Sequence, residues 1–218
     1  MIDKDSGYVD YGFTKNCRLS PEYLKDRKKH LLSMLRQLGT PHIFLTISLS
    51  EMKNPELLAL LHENAGHEKI SPEDALQLPL ALKMELIRNG PVTIVIYFEE
   101  MLKHLKKILE DPNGPFGDRF LVNFYFRKEF QLRGSVHAHM LLWLKNTPRY
   151  DKDELNKDLI KFIDEIITCQ YDEKNPLMTF QRHKHTHTCY KSKNSKKVCR
   201  FGFPKYVMPR TMILERLK

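Results

Sequence analysis

Apolar residues recur along the chain in two rhythms, and each rhythm predicts a different kind of element. Residues 1–19 follow neither and read as a loose arm. Ser20-Pro21-Glu22 combines a serine cap with proline at the first helical position. Leu24, Leu31, Leu32, Met34, Leu35 and Leu38 then build one apolar helical face, which Gly39-Thr-Pro41 ends. His42 to Leu49 is a short β-rich run, read as a buried strand. Asn54-Pro55 opens a short helix over Glu56 to His62, and Ser71-Pro72-Glu73 opens another to about Arg88. Gly90-Pro91 breaks the chain again. Val92 to Phe98 is rich in strand formers. Val95, Phe98, Leu102, Leu105 and Leu109 nevertheless keep helical spacing, so one helix is predicted from Pro91 to Glu110.

After the turn at Asp111-Pro-Asn-Gly-Pro115 the rhythm changes to alternation. Phe120 to Phe130 predicts a strand with Phe120, Val122, Phe124 and Phe126 on one face. Arg133-Gly134 turns the chain, and Val136 to Leu144 is its partner strand. Leu155, Leu159, Phe162, Ile163, Ile166 and Ile167 predict an amphipathic helix over residues 152–168. From Cys169 onward the chain is polar and loop-like, and no internal repeat occurs. The pattern as a whole is α+β.

Composition narrows the class. A chain of 218 residues with 41% hydrophobic and 29% charged residues buries a core without disulfides. No apolar run approaches the roughly 18 residues a membrane span needs, and the polar start Met1-Ile-Asp-Lys-Asp-Ser is not a secretory signal. A reducing, intracellular and specifically nuclear setting is expected, with no membrane partner. Cys17, Cys169, Cys189 and Cys199 are then thiols or metal ligands rather than disulfides. The net charge of +9 is concentrated: residues 181–218 carry eleven Lys/Arg against one acid, Glu215. Such a tail attracts polyanions, nucleic acid first among them.

Two clusters carry candidate chemistry. His137 and His139 alternate along a strand, so both imidazoles point to one face. Glu129 and Gln131 share a face of the preceding strand, and either could add an oxygen ligand. Two imidazoles and a carboxylate, with positions left open, suit a divalent ion such as Mg²⁺ or Mn²⁺ acting on a phosphate. In the tail, His183, His185, Cys189 and Cys199 could hold Zn²⁺ as a His₂Cys₂ site, with His187 and Cys169 as alternative ligands and Cys17 structural.

Several stretches, in order along the chain, carry a family likeness. They are Ser20-Pro-Glu-Tyr-Leu with Met34 to Pro41, then Ile43-Phe-Leu-Thr-Ile-Ser48, then Glu129 to Leu144 around His137-Ala-His139. Cys199-Arg-Phe-Gly-Phe-Pro204 and Met208-Pro-Arg-Thr-Met-Ile-Leu214 complete the set. From Leu19 to Leu217 the chain resembles the N-terminal helicase-like region of Helitron transposases, within the Rep, or His-hydrophobic-His (HUH), endonucleases. It departs from that pattern at Asn54, where the family favours tryptophan.

The resemblance implies a Rep/HUH-like antiparallel sheet with flanking helices over residues 19–168, preceded by an arm at 1–18 and followed by a basic His/Cys-rich segment at 169–218. It implies that His137 and His139 are metal ligands, with Glu129 the best third ligand and Gln131 the second choice. It implies that the Phe44-Leu-Thr46 strand lies beside that site and helps bind DNA, and it favours zinc at His183, His185, Cys189 and Cys199. The expected activity is nicking and transfer of single-stranded DNA by a rolling-circle transposase. Thr46, Arg133, Lys191, Lys193, Lys196, Lys197 and Arg200 are the expected DNA contacts. The family's tyrosine nucleophile is expected beyond Lys218, as is the helicase domain that normally follows in the same polypeptide. Tyr171, in Tyr171-Asp-Glu-Lys174, is a weak substitute nucleophile. No Gly-x-x-x-x-Gly-Lys-Ser/Thr loop occurs, so ATP hydrolysis is not expected from this chain. The alternatives are a catalytically inactive, transposon-derived DNA-binding module and a structural zinc-binding interaction protein.

Overall fold

Three helix starts in the computed structural model repeat one device, a polar cap followed by proline. Ser20 accepts a hydrogen bond from the Tyr23 N–H and opens α1 (Pro21–Leu38). Asn54 accepts from the Leu57 N–H and opens α2 (Pro55–Asn64). It also accepts from the Tyr97 hydroxyl at 3.3 Å, so this cap residue ties two helices together. Ser71 accepts from the Asp74 N–H and opens α3 (Pro72–Gln77). The structure describes residues 16–18, 20–130, 136–151, 156–167, 172–175, 178, 182–186, 188–193 and 196–214. Expectations on the N-terminal arm before residue 16, Gln131, Arg133, Cys169, Tyr171 and His187 lie outside those residues.

The single helix expected from Ser71 to Arg88 is two. Leu78 and Pro79 sit at ψ 143° and 142°, extended rather than helical, and α4 (Leu80–Asn89) begins after them. Proline removes a backbone donor and pushes its predecessor out of the helical region, so Leu78-Pro79 breaks what periodicity alone joins. Gly90 lies against α2: a Cβ there would stand 2.3 Å from Leu61 Cδ2. α5 (Pro91–Glu110) follows with the predicted bounds. Leu57, Leu58, Leu61, Ala75, Leu86, Ile94 and Phe98 form the buried centre of this helical layer.

The sheet has three antiparallel strands in the order β1 (Ile43–Ser48), β3 (Val136–Leu144), β2 (Leu121–Phe130). Alternation along central β3 assigns two faces. Val136, Ala138, Met140, Leu142 and Leu144 are buried on one. There Leu102 of α5 lines one cavity with Phe124, Phe126 and Met140, and Lys128 pairs with Glu99 of α5. Val122 does not join Phe124 and Phe126 as alternation predicts. A register shift between Leu121 and Asn123 takes it out of phase, and it is 48% exposed. The other face carries His137, His139, Leu141 and Trp143. α1 reaches it at the Trp143 end, where the indole N–H donates to the Gly39 carbonyl at 3.0 Å. The Tyr125 hydroxyl likewise donates to the Arg27 carbonyl. No helix among the described residues is long and apolar enough to cross a membrane.

The chain divides into two compact units, Met1–Thr147 and Pro148–Lys218, which groups the last helix with the basic segment. That helix, α6, spans Lys157–Ile166; of the expected 152–168, residues 152–155 and 168 lie outside the described residues. Asn156 sits in the left-handed region at φ 48°, which stops the helix from extending back through it. Phe162 is buried, and the Thr211 hydroxyl donates to Asp164. The segment expected to be all loop holds a hairpin, β4 (Tyr190–Lys193) and β5 (Lys196–Cys199). Its strands are short and lysine-rich, so no apolar alternation marks them.

Candidate functional site

The β2–β3 ladder places Glu129 directly opposite His137, and the β1–β3 ladder places Thr46 opposite His139 and Ser48 opposite His137. Alternation turns all of these side chains to the same face. His137 Nε2 and His139 Nε2 lie 3.1 Å apart, and Glu129 Oε2 lies 3.5 and 3.7 Å from them. These are the three expected residues, and they are brought together within 4.8 Å.

Two metal–nitrogen bonds of about 2.1 Å at a right angle set their nitrogens about 3.0 Å apart. The imidazole pair therefore already has the spacing of two ligands on one ion. Glu129 stands slightly further out, and its side chain, 41% exposed, has room to swing inward. The donor set is two imidazole nitrogens and one carboxylate, which leaves positions open for water or a substrate oxygen.

Neighbours orient these donors. Thr46 Oγ1 lies 3.0 Å from His139 Nδ1. With the proton on Nδ1 donated to Thr46, Nε2 turns its lone pair to the site. Phe44 stacks on the His139 ring, centroids 5.6 Å apart and planes within 8°. Arg127 Nε stands 3.7 Å from the other Glu129 oxygen. His137 is nearly buried, and its Nδ1 meets no partner among the described residues. Thr46 was expected as a DNA contact; its hydroxyl is engaged with His139, a role visible only once strand register is known. Phe44, 64% exposed, stands at the rim of the same face.

The second expected cluster also assembles, within the C-terminal unit. Tyr190 pairs with Cys199 across the hairpin, and the Arg200 N–H donates to the Cys189 carbonyl at 2.8 Å, so both cysteines sit at its open end. Cys199 Sγ lies 3.5 Å from His183 Nε2, and Cys189 Sγ lies 3.4 Å from His185 Nδ1. All four ligand atoms fall within 4.8 Å of one another. Partial burial pushes the Cys199 thiol up. The backbone N–H groups of Phe203, Phe201 and Gly202 and the Cys189 thiol outweigh it and hold Cys199 below the usual thiol range.

Aromatic packing around this cluster had no sequence signal. His183 stacks on Phe203 at 4.4 Å and meets Phe201 edge-on, while His185 stacks on Tyr190 at 5.4 Å. Lys191, Lys196, Lys197 and Arg200 are exposed on or beside the hairpin, and Lys193 pairs with Lys196 in its backbone register.

Comparison with known proteins adds the family. No curated protein and no solved structure matches the chain. A family model described as the Helitron helicase-like domain at the N-terminus matches residues 12–142, more than half of the chain, and the match spans Thr46, Glu129, His137 and His139. The protein belongs to the Helitron helicase-like N-terminal domain family.

Proposed function

We propose that Glu129, His137 and His139 hold a divalent metal ion, Mg²⁺ or Mn²⁺, at the strand-nicking centre of a Rep/HUH-type transposase domain that takes single-stranded DNA. The observation that carries this reading is the 3.1 Å approach of two imidazole nitrogens beside a cross-strand carboxylate. A divalent ion held by these residues would polarise the scissile phosphate and offset charge developing on its oxygens.

The chain's own residues do the rest. Thr46 holds the ring angle of His139 through its contact with Nδ1. Glu129 supplies the one negative charge of the donor set, and Arg127 steadies its second oxygen. Phe44 presents an exposed ring beside the site, on which an unpaired base can stack. Stacking of that kind needs a base free of its partner strand, which favours single strands over duplex.

Titration of Mn²⁺ into the full chain, followed by the loss of free-ion paramagnetic signal, tests the metal site. One ion per chain is expected. His137→Ala and Glu129→Gln should each weaken its binding at least about tenfold. A fluorescent single strand should bind more tightly with Mn²⁺ than without it. Mn²⁺ binding unchanged in both variants overturns the proposal; so does single-strand binding indifferent to Mn²⁺.

A further inference from the structure

We propose that the C-terminal unit holds a Zn²⁺ ion on His183, His185, Cys189 and Cys199, and that this ion, rather than an apolar core, orders the β4–β5 hairpin. The inference is independent of the nicking centre, which uses other residues in the other unit.

Distances support a tetrahedral set. Zinc bonds of about 2.3 Å to sulfur and about 2.05 Å to nitrogen, at the tetrahedral angle, put sulfur and nitrogen about 3.5 Å apart. The two sulfur–nitrogen separations are 3.4 and 3.5 Å. The four atoms span no more than 4.8 Å, so one ion reaches them all with little movement.

The scaffold presents the ligands in advance. The Arg200–Cys189 backbone hydrogen bond and the Tyr190–Cys199 pairing hold the two cysteines side by side at the hairpin's end. Stacking on Phe203 sets the His183 ring, and stacking on Tyr190 sets the His185 ring. The ion would find its ligands partly preorganised.

The unit also needs a cross-link. Among the described residues from 172 to 214, Cys189 alone is buried. Tyr206 and Val207 are almost fully exposed. A hairpin of two four-residue, lysine-rich strands does not hold its shape by burial alone. A metal bound by four protein groups supplies folding free energy directly and leaves no open position, which makes the site structural rather than catalytic. Two thiols shed their protons when the ion enters, so binding strengthens as pH rises.

The test uses the full chain, purified after expression with zinc, and elemental analysis. One zinc per chain is expected, and Cys17→Ser and His187→Ala should keep it. His137→Ala should keep it too, which separates this site from the nicking centre. Cys189→Ser and Cys199→Ser should lose it. Because those variants may misfold for other reasons, Co²⁺ is exchanged into the unaltered chain. Intense tetrahedral visible bands with thiolate-to-cobalt charge transfer are expected. A folded chain without zinc overturns the proposal, as does a weak octahedral cobalt spectrum. Zinc lost in His187→Ala but kept in His185→Ala also overturns the ligand set, and so does a Cys189–Cys199 disulfide in the purified, unreduced protein.

Discussion

Glu129 and His137 face each other across the β2–β3 ladder, and Glu129 Oε2 lies 3.5 Å from His137 Nε2. Direct cross-strand partners keep their side chains within reach because the ladder fixes their backbone separation. Shifting β2 by one residue would turn Glu129 to the opposite face and bring Lys128 or Phe130 in its place. The metal-binding proposal therefore depends on register as much as on residue type. Glu129→Asp should separate the two: it keeps the charge but shortens the reach of a carboxylate that already stands furthest out. Mn²⁺ affinity is expected to fall less than in Glu129→Gln yet clearly below the unaltered chain. Equal affinity for all three would show that Glu129 is not a ligand.

Thr46 tests the role of orientation. Thr46→Val removes the hydroxyl that partners His139 Nδ1 and keeps the branched shape. Loss of such a partner weakens metal binding by about 10–100-fold elsewhere. A drop of about tenfold in Mn²⁺ affinity is expected, with recovery in Thr46→Ser. Recovery is the decisive readout, since a mere packing defect would not be repaired by the smaller serine.

Much of this arrangement is legible in the chain itself. Period-two alternation puts His137 and His139 on one face, and a turn predicted at Arg133-Gly134 implies that Glu129 lies close by. Helix caps followed by proline mark α1, α2 and α3 at their first residues. Other features depend on relations that periodicity does not carry. Pro79 sits inside a helical pattern and divides it. The shift at Leu121/Asn123 changes which face Val122 takes. Thr46 meets His139 only through a ladder joining positions 93 residues apart. The β4–β5 hairpin pairs lysines with lysines, serine and valine, so hydrophobic pattern says nothing of it.

Phe44 supplies a prediction for DNA. Its ring is 64% exposed and lies flat against His139. Stacking of one base on an aromatic ring is worth about 1–3 kcal/mol, so Phe44→Ala should weaken single-strand binding by roughly 5- to 150-fold, while Phe44→Trp should retain it. Duplex affinity should change little. Thermal unfolding should also be near that of the unaltered chain, because little apolar surface is buried at this position. Fluorescence anisotropy with matched single and double strands reads the difference. Equal losses on both would remove base stacking as the explanation.

Phe98 provides the contrasting case, a residue expected to matter for stability and not for chemistry. It lies on α5 with no exposed surface. Replacing a buried phenylalanine with alanine costs about 3–5 kcal/mol, through lost transfer free energy and the cavity left behind. Phe98→Ala should lower the urea midpoint of the N-terminal unit strongly. Whatever fraction remains folded should bind Mn²⁺ with nearly unchanged affinity, since α5 packs on the sheet face opposite His137 and His139.

The basic hairpin yields the last prediction. Lys191, Lys196, Lys197 and Arg200 are all exposed, and they lie in the segment that carries the chain's excess positive charge. If they contact phosphates, each contact releases a counterion from the single strand, and the logarithm of the binding constant falls with the logarithm of salt concentration by about 0.7 per contact. Replacing all four with glutamine should therefore flatten that slope by up to about 3 and weaken binding most at low salt. The loss should be nearly the same for every base sequence, because phosphates carry no sequence information. Phe44→Ala should do the opposite: weaken binding at all salt concentrations and leave the slope unchanged. Measured together, the two slopes distinguish an electrostatic platform from a stacking surface. A fourfold variant whose slope matches the unaltered chain would place the DNA contacts elsewhere.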